Sequence, residues 1–393
     1  MKKCMSVIFC IIFVLSLISV SPVIVSAEED IEASVSFSAE INAKAYVLMD
    51  ANTGTVLASN NKDEKLYPAS VTKIMTILLV CEALESGKLT LDMKVTCSDS
   101  AAEKGGSQIW LEPGEIMTVH ELLKACVVYS ANDACCLLGE VISGDEKSFC
   151  ELMNKRAKEL GMNNTHFDNC TGLDDDTDSH KTTAYDIAVM SKALLSHDIV
   201  RDYTSIWMDT LRNGETQLVN TNKLIRTYPG ATGLKTGTTS KAGCCVSASA
   251  ERDGLELIAV ILGADNSEER FAGAKSLLDW GFSNFEIITP ETAGKYNDKI
   301  KVTHGVVQQV KIKSENCNQV LVEKGSVNKI SYEVNIPEII EAPIATGQSI
   351  GEIIIRADSE IIGRCKVIAE ENVEKMTIFN ALKSLIKSMQ KNM

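Results

Sequence analysis

Residues 244–262 read CCVSASAERDGLELIAVIL, two short apolar runs joined by a turn at Arg252-Asp253-Gly254. The runs Cys244–Ala250 and Leu255–Leu262 have the length and composition of β-strands, and Asp-Gly is a frequent hairpin turn. A helical pattern over about Glu268–Trp280 follows directly. This stretch predicts a β-hairpin that packs against the helix after it.

The segment before this hairpin predicts the rest of the same domain. Tyr46–Met49 and Val56–Leu57 flank an Asn-Thr-Gly turn, which favours a second hairpin. Residues 71–84 are apolar on nearly every face, which is typical of a helix buried inside a domain. Further helices are predicted over His120–Val128, Asn132–Val141, Glu146–Leu160 and Thr183–Leu195. We expect one α+β domain over residues 44–289, an antiparallel sheet covered by helices.

The residues after Pro290 have a different pattern, with short alternating runs and little helical spacing between them. The predicted strands are Val306–Ile312, Gln319–Val322, Lys329–Val334, Ile350–Arg356 and Ile361–Val367. They indicate a small β-rich domain over residues 290–370.

The C-terminal segment 376–393 predicts an amphipathic helix. The apolar side chains Ile378, Leu382, Leu385, Ile386 and Met389 recur at helical spacing, and Lys383, Lys387 and Lys391 lie on the other face. A basic amphipathic helix on an acidic protein favours binding to a membrane surface. The alternative is a helix docked on the β-rich domain.

The N-terminus indicates export. Lys2 and Lys3 precede an apolar run from about Met5 to Val20, and Val25-Ser26-Ala27 offers small residues for cleavage. We therefore predict a signal peptide over residues 1–27 and a leader over residues 28–43. An uncleaved membrane anchor is the alternative, but the run is short for a transmembrane helix.

Charge and cysteine content exclude several classes of partner and site. The formal net charge of -14 argues against nucleic acid as a partner. The signal contains two of the 13 cysteines, which leaves an odd number in the exported chain. The adjacent pairs Cys135-Cys136 and Cys244-Cys245 lie in apolar stretches and favour buried free thiols over metal ligands. We expect no metal and no organic cofactor.

Three short motifs indicate the chemistry: Ser70-Val71-Thr72-Lys73, Ser130-Ala131-Asn132 and Lys235-Thr236-Gly237. The first two patterns recur elsewhere by chance, as at Ser326/Lys329. Only Ser70, however, begins a buried helix, and the Lys-Thr-Gly triplet occurs once. Their joint occurrence in this order predicts a nucleophilic serine site.

The residue types in these motifs fit the chemistry of a nucleophilic serine site. A serine hydroxyl needs a base, and Lys73 lies on the same helical face as Ser70, three residues away. Burial and a second cation, Lys235, would keep Lys73 neutral by lowering its pKa. Ser130 can relay a proton to the leaving amine, and Asn132 can fix Lys73 and bind a substrate amide. The Ser70 amide and one just after residues 235–237 can hold the oxyanion.

At these motifs the chain resembles the low-molecular-mass penicillin-binding proteins that act as D-alanyl-D-alanine carboxypeptidases. The likeness extends through Trp110-Leu111-Glu112-Pro113-Gly114, Asn164-Thr165-His166-Phe167, Thr171-Gly172-Leu173 and Thr183-Ala184-Tyr185-Asp186. It implies a β-lactamase/transpeptidase-like catalytic domain followed by a β-rich domain.

The resemblance also implies the reaction and its surroundings. It implies removal of the terminal D-alanine from peptidoglycan stem pentapeptides through an acyl-enzyme on Ser70, and acylation by β-lactam antibiotics. It places the enzyme on the outer face of the cytoplasmic membrane, held by the C-terminal helix. Thr236 and Gly237 would bind substrate, and the amide of Thr238 would be the second oxyanion donor.

Several residues near these motifs receive other interpretations. Some relatives carry an Arg that binds the substrate carboxylate in the segment that reads Asn220-Thr221-Asn222-Lys223 here. We interpret Lys223 and Arg226 as exposed surface charges. We interpret His166 and His180 as structural, and the acidic stretch 174–178 as a solvated loop because it lacks the spacing of a calcium loop.

Three other functions fit parts of the pattern. A class A-like β-lactamase uses the same motifs, but its Glu-x-x-Leu-Asn signature is missing between Leu160 and Thr183. A slow penicillin-binding receptor would carry a transmembrane span and a signalling domain. A structural protein with remnant motifs would not need every reactive residue. A carboxypeptidase fits best.

Overall fold

A computed structural model describes residues 35–175, 177–290, 298–315, 317, 319–326 and 329–382. The predicted signal peptide, residues 28–34 of the leader and residues 383–393 lie outside the described residues.

The catalytic part is built on an antiparallel sheet, with the strands β1 Ala45–Asp50, β2 Val56–Asn60, β7 Ala231–Thr239, β8 Gly243–Arg252 and β9 Leu255–Ala264. Among the described residues these five strands lie in the order β2-β1-β9-β8-β7. The N-terminal hairpin pairs with the late strands in this sheet, with Leu48 opposite Ala259. The predicted α+β fold class is confirmed.

Both faces of this sheet are covered, which explains why β9 is buried along its whole length. Ile258, Val260 and Leu262 pack into the core beneath the helices of the middle segment. The alternate residues Leu257, Ala259 and Ile261 pack against the last helix, since neighbouring side chains of a strand point to opposite faces. Each buried aliphatic side chain contributes about 1.5–3 kcal/mol to folding.

The helices lie mainly between β2 and β7. They are α1 Lys73–Glu85, α2 Asp99–Ala102, α3 Val119–Lys124, α4 Asn132–Ser143, α5 Glu146–Glu159, α6 Ala184–Leu195, α7 Arg201–Thr204, α8 Leu224–Thr227 and α9 Ser267–Asn284. Two short hairpins complete this part, β3 Lys94–Thr96 with β4 Ile116–Thr118 and β5 Met208–Leu211 with β6 Thr216–Val219.

The segment before Ser130 differs from the predicted helix over His120–Val128. The α-helix α3 ends at Lys124, and Ala125–Tyr129 form a π-helical turn. Ser130 then has a left-handed backbone, with φ 67°. The wider turn and the backbone reversal break the helix between α3 and α4.

The β-rich part follows α9. Strand β10 Phe285–Ile288 pairs with β13 Val320–Glu323. The remaining strands are β11 Asp298–Thr303, β12 Gln309–Ser314, β14 Ile330–Asn335, β15 Ile339–Glu341, β16 Ser349–Ala357 and β17 Glu360–Ala369. Within the described part they form one sheet, in the order β14-β16-β17-β12-β11-β15.

The sequence predicted this sheet only in part. β11 and β15 were not predicted, nor was β10 in the separate pair with β13, and the strand expected from Val306 begins at Gln309. β15 is a three-residue edge strand that pairs with β11 in parallel, a non-local contact that no local pattern indicates. Cys317 and Cys365 form a disulfide in the core of this sheet. The other cysteines in the described residues are free and buried, as expected for most of them.

The C-terminal tail is described only to residue 382, where residues 378–382 are helical. Ile378 and Phe379 are 92% and 73% exposed. Among the residues that the structure describes, no helix combines the length and the apolar character that crossing a membrane requires.

Candidate active site

Ser70 lies in a 3₁₀ turn, Ala69–Thr72, that leads directly into α1. Lys73, the first residue of α1, is fully buried. Its Nζ lies 2.9 Å from Ser70 Oγ, at hydrogen-bond distance. The tight turn therefore brings the hydroxyl and the amine together, which is the geometry a serine nucleophile and its base need.

The segment Asn169–Leu173 holds the other side of Lys73. The carbonyl of Thr171 accepts a hydrogen bond from Lys73 Nζ at 2.8 Å. Asn169 Oδ1 accepts from the amides of Thr171 and Gly172 and fixes this turn. Gly172 has φ +87°, and a Cβ there would lie 1.8 Å from the carbonyl oxygen of Ala69, so the segment packs directly on the Ser70 turn.

The second motif is placed by the break between α3 and α4. Ser130 and Asn132 are both nearly fully buried, and the π-helical turn before them packs against α1. Asn132 Nδ2 donates to the carbonyl of Gly105 at 2.6 Å, while its Oδ1 has no hydrogen-bond partner among the residues that the structure describes. The amide of Asn132 also donates to the carbonyl of Ser107. The expected contact from Asn132 to Lys73 is not among these hydrogen bonds.

The third motif lies inside β7, which begins four residues before Lys235 and is an edge strand of the five-stranded sheet in the described part. A Cβ at Gly237 would lie 2.6 Å from the Ser70 amide nitrogen. Glycine therefore lets β7 approach the nucleophile turn and brings Thr238 next to it. An edge strand also leaves backbone groups available to an extended peptide.

The site contains two buried lysines. Burial lowers the pKa of Lys73, because a buried ammonium loses its hydration. Burial and, second, the charge of Lys73 lower the pKa of Lys235 to about 7. Lys235 Nζ donates to the carbonyl of Thr236 at 3.1 Å. This environment favours a neutral amine at Lys73, as a proton acceptor requires.

Arg270 is a site residue that the sequence did not reveal. Its Nη1 donates to the carbonyl of Gly237 and to Thr238 Oγ1, both at 3.0 Å. The side chain is buried and reaches β7 from α9. The helix was predicted, but no local pattern tells which face of α9 meets β7.

Asp133 is a second site residue that the sequence did not reveal. This buried carboxylate follows Asn132 and accepts hydrogen bonds from the amides of Ile109 and Leu111, each at about 3 Å. The two contacts hold the backbone on either side of Trp110, whose side chain is 77% exposed. A carboxylate in the first turn of a predicted helix is the only signal that the sequence offers.

The segment that departs from the family pattern contacts the third motif. Thr236 Oγ1 donates to Thr221 Oγ1 at 2.7 Å. Asn222 Nδ2 donates to the carbonyl of Gly233 and ties this segment to β7. Lys223 and Arg226 are exposed, as expected.

The remaining candidates from the sequence are two histidines and the acidic stretch 174–178, and none of them belongs to the pair of buried lysines. His180 is buried against Thr72 Oγ1 at 2.8 Å, and the exposed His166 contacts Asp168. The expectation of a solvated loop at 174–178 is wrong for Asp174, which is buried and accepts a 2.5 Å hydrogen bond from Thr239 Oγ1 at the end of β7.

Both folded parts match families of known proteins. Residues 31–266 match the family model described as D-alanyl-D-alanine carboxypeptidase. The chain belongs to this family. Residues 285–375 match the model of the penicillin-binding protein 5 C-terminal domain, which agrees with the two-domain fold.

Three relatives illustrate the similarity. The D-alanyl-D-alanine carboxypeptidase DacF of Bacillus subtilis (strain 168) is 41% identical over 345 residues, which are 87% of this chain and 88% of the relative. Penicillin-binding protein 5 from Haemophilus influenzae has a crystal structure with a TM-score of 0.76 and 31% identity, over 87% of this chain and all of its own. Penicillin-binding protein D2 from Listeria monocytogenes, in its ampicillin-bound form, has a TM-score of 0.58 and 33% identity, over 63% of this chain and all of its own.

Proposed function

We propose that this protein is a serine-type D-alanyl-D-alanine carboxypeptidase that removes the terminal D-alanine from peptidoglycan stem pentapeptides. The observation that carries the proposal is the 2.9 Å contact between Lys73 Nζ and Ser70 Oγ beside β7, in a chain of this family. In this proposal the reaction itself uses no metal or organic cofactor.

The first half of the reaction forms an acyl-enzyme. Ser70 Oγ attacks the carbonyl carbon of the penultimate D-alanine while neutral Lys73 takes the hydroxyl proton. The amides of Ser70 and Thr238 stabilise the oxyanion. Ser130 passes a proton to the nitrogen of the terminal D-alanine, and the C–N bond breaks to release it. In this step a β-lactam antibiotic would acylate Ser70 instead.

The second half releases the shortened peptide. A water molecule gives a proton to Lys73 and attacks the ester carbonyl, and the proton then returns to Ser70 Oγ. Asn132 binds a substrate amide, while Lys235 and the Thr236 hydroxyl bind the terminal carboxylate. Lys235 supplies the positive charge in place of the Arg found in some relatives.

The test measures free D-alanine released from a pentapeptide that ends in D-Ala-D-Ala, with protein that lacks residues 1–27. Ser70→Ala should abolish both D-alanine release and covalent labelling by penicillin. Ser326→Ala removes a serine from the same Ser-x-x-Lys pattern outside the site and should keep wild-type activity.

Three outcomes would contradict the proposal. Labelling that persists in Ser70→Ala would move the nucleophile elsewhere. Labelling of Ser70 without D-alanine release would favour the slow penicillin-binding receptor, and rapid hydrolysis of penicillin would favour the β-lactamase.

We also propose that the protein is exported and binds the outer face of the cytoplasmic membrane through residues 376–393. The exposed Ile378, Phe379 and Leu382 support this, together with the basic face of the segment. Deleting 376–393 should release the protein from membranes and leave soluble activity unchanged. Changing Lys383, Lys387 and Lys391 to Gln should weaken sedimentation with anionic vesicles. Membrane attachment after the deletion would place the anchor in an uncleaved N-terminus.

A further inference from the structure

A cluster of two thiols and a carboxylate takes no part in the proposed reaction. Cys136 on α4, Glu146 at the start of α5 and Cys170 before Thr171 each offer one donor atom, and these atoms lie within 4.8 Å of one another. Cys170 Sγ is 3.3 Å from Glu146 Oε1. Both cysteines are fully buried, and the Glu146 side chain is 21% exposed.

The neighbours of the cluster aim the carboxylate at the thiols. Lys104 Nζ binds the other oxygen of Glu146, Oε2, at 2.5 Å, which leaves Oε1 directed at Cys170. Glu140 lies one helical turn after Cys136 on α4, and its Oε1 is 3.6 Å from Cys136 Sγ. Ser98 Oγ holds the second oxygen of Glu140 at 2.6 Å.

We propose that one Zn²⁺ ion binds here, with Cys136, Cys170 and Glu146 as three of its ligands. Zinc is bound in proteins by thiolate sulfur at about 2.3 Å and by carboxylate oxygen at about 2.0–2.2 Å. Around a tetrahedral ion these lengths place the donor atoms about 3.3 to 3.8 Å apart. The contact between Cys170 Sγ and Glu146 Oε1, 3.3 Å, falls in this range, and all three donor atoms lie within 4.8 Å of one another.

Charge balance explains how a buried site accepts the ion. Binding of Zn²⁺ displaces the thiol protons of Cys136 and Cys170, so two positive charges enter while two leave to solvent. The net charge of the cluster is unchanged, and Lys104 keeps its partner. The electrostatic potential at Lys73 therefore stays nearly constant. The ion would affect Lys73 only by holding the neighbouring segments in place.

The structural effect reaches the catalytic site through Cys170. Its carbonyl accepts hydrogen bonds from Thr76 Oγ1 on α1 and from Cys135 Sγ on α4. The next residue, Thr171, holds Lys73 Nζ. Zinc would thus tie α4 and α5 to the segment that positions Lys73. Only this last consequence rests on the proposed carboxypeptidase activity.

The test measures zinc binding to the chain of residues 28–393 after treatment with EDTA and removal of the chelator. Zn²⁺ alone should bind with a stoichiometry of one and raise Tm by several degrees. Co²⁺ in its place should give a sulfur-to-metal charge-transfer band in the near ultraviolet. Absence of binding, or a cobalt complex without that band, would overturn the proposal.

The variants identify the ligands. Cys136→Ala and Cys170→Ala should lose the bound zinc, and Glu146→Gln should weaken zinc binding at least tenfold. Cys135→Ala, at the adjacent position, and Cys81→Ala, a buried thiol on α1, should keep it. Equal loss in Cys135→Ala and Cys136→Ala would overturn the assignment. If Cys170→Ala does not fold, as judged by circular dichroism, Glu146→Gln and Cys136→Ala decide the question.

Ser70→Ala separates this proposal from the proposed function. It should bind zinc like the wild type, because Ser70 is not a ligand. D-alanine release without zinc binding would therefore contradict only the zinc site. Zinc binding without D-alanine release would contradict only the proposed function.

Discussion

His180 has a defined protonation state that makes folding sensitive to acid. Its Nδ1 accepts the amide hydrogen of Asp168 at 3.0 Å, so the neutral ring carries its hydrogen on Nε2 and donates it to Thr72 Oγ1. Burial lowers the pKa of His180 to about 4 from 6.5. A proton on Nδ1 would also displace the Asp168 amide.

Lowering the pH should therefore cost stability through His180. Above pH 6.5 the ring is neutral in both states, and this contribution is complete. Between pH 6.5 and about 4 the unfolded chain binds a proton that the folded chain does not, so the free energy of unfolding falls by roughly 3 kcal/mol in total. Urea unfolding at pH 7 and pH 4 measures the loss. His180→Asn should reduce it and the exposed His166→Asn should not; an equal loss in all three proteins would refute the argument.

Lys235 should make stability rise with pH in the same direction but at higher pH, because its buried ammonium destabilises the fold. Below pH about 7 both states are charged and the penalty is complete. From pH 7 to about 10.5 only the unfolded chain keeps the proton, so the free energy of unfolding rises with pH and the penalty disappears.

Replacing Lys235 with Met should reveal this penalty. At pH 6 we expect Lys235→Met to exceed the wild type in free energy of unfolding by a few kcal/mol, and the gap should narrow by pH 9.5. Penicillin acylation should be lost at both pH values. Urea unfolding measures the gap, with the exposed Lys223→Met as control. A gap that does not change with pH would show that the ammonium carries no such penalty.

At the scale of elements, the turn that carries Gly172 should be more sensitive to substitution than a glycine with similar backbone geometry. A Cβ at Gly172 would collide with Ala69, whereas Gly161, with φ +78°, has nothing within 4 Å of a Cβ. Both alanine variants suffer the left-handed strain of about 1–2 kcal/mol, and only Gly172→Ala must also move the turn from Lys73.

The expected result separates strain from displacement. Gly172→Ala should slow penicillin acylation at least about 100-fold, because a 1 Å misplacement near the chemistry has effects of this size. Gly161→Ala should acylate at close to the wild-type rate and lose only stability. Stopped-flow acylation and thermal unfolding measure the two effects. Equal acylation by both variants would mean that the turn does not position Lys73.

These elements also show how far the sequence could predict the site. The helix after Ser70 was predictable because its apolar residues are continuous, and the three-residue spacing to Lys73 is a local property. The left-handed backbone at Ser130 and the direction of Arg270 were not predictable, since both depend on how α3, α4 and α9 pack in the folded domain. Local patterns indicate elements; contacts between elements come from packing.

At the scale of the whole molecule, every proposed catalytic group lies in the first of the two folded parts. The latest site residue in the chain is Arg270 on α9, before the β-rich part begins with β10. The Listeria penicillin-binding protein D2 structure matches 63% of this chain over its full length. The catalytic part should therefore bind penicillin without the β-rich part.

A chain of residues 28–289 should confirm this. We expect penicillin acylation within about threefold of the full chain, because no site residue contacts the deleted part through the hydrogen bonds described. We also expect a lower Tm, since β10 loses its partner β13, and Phe282 and Asn284 lose the hydrogen bonds that their carbonyls accept from Lys324. Acylation kinetics and calorimetry on both chains measure these effects. A folded short chain that is not acylated would show that the β-rich part shapes the site, while an unchanged Tm would show that the β10–β13 contact contributes no stability.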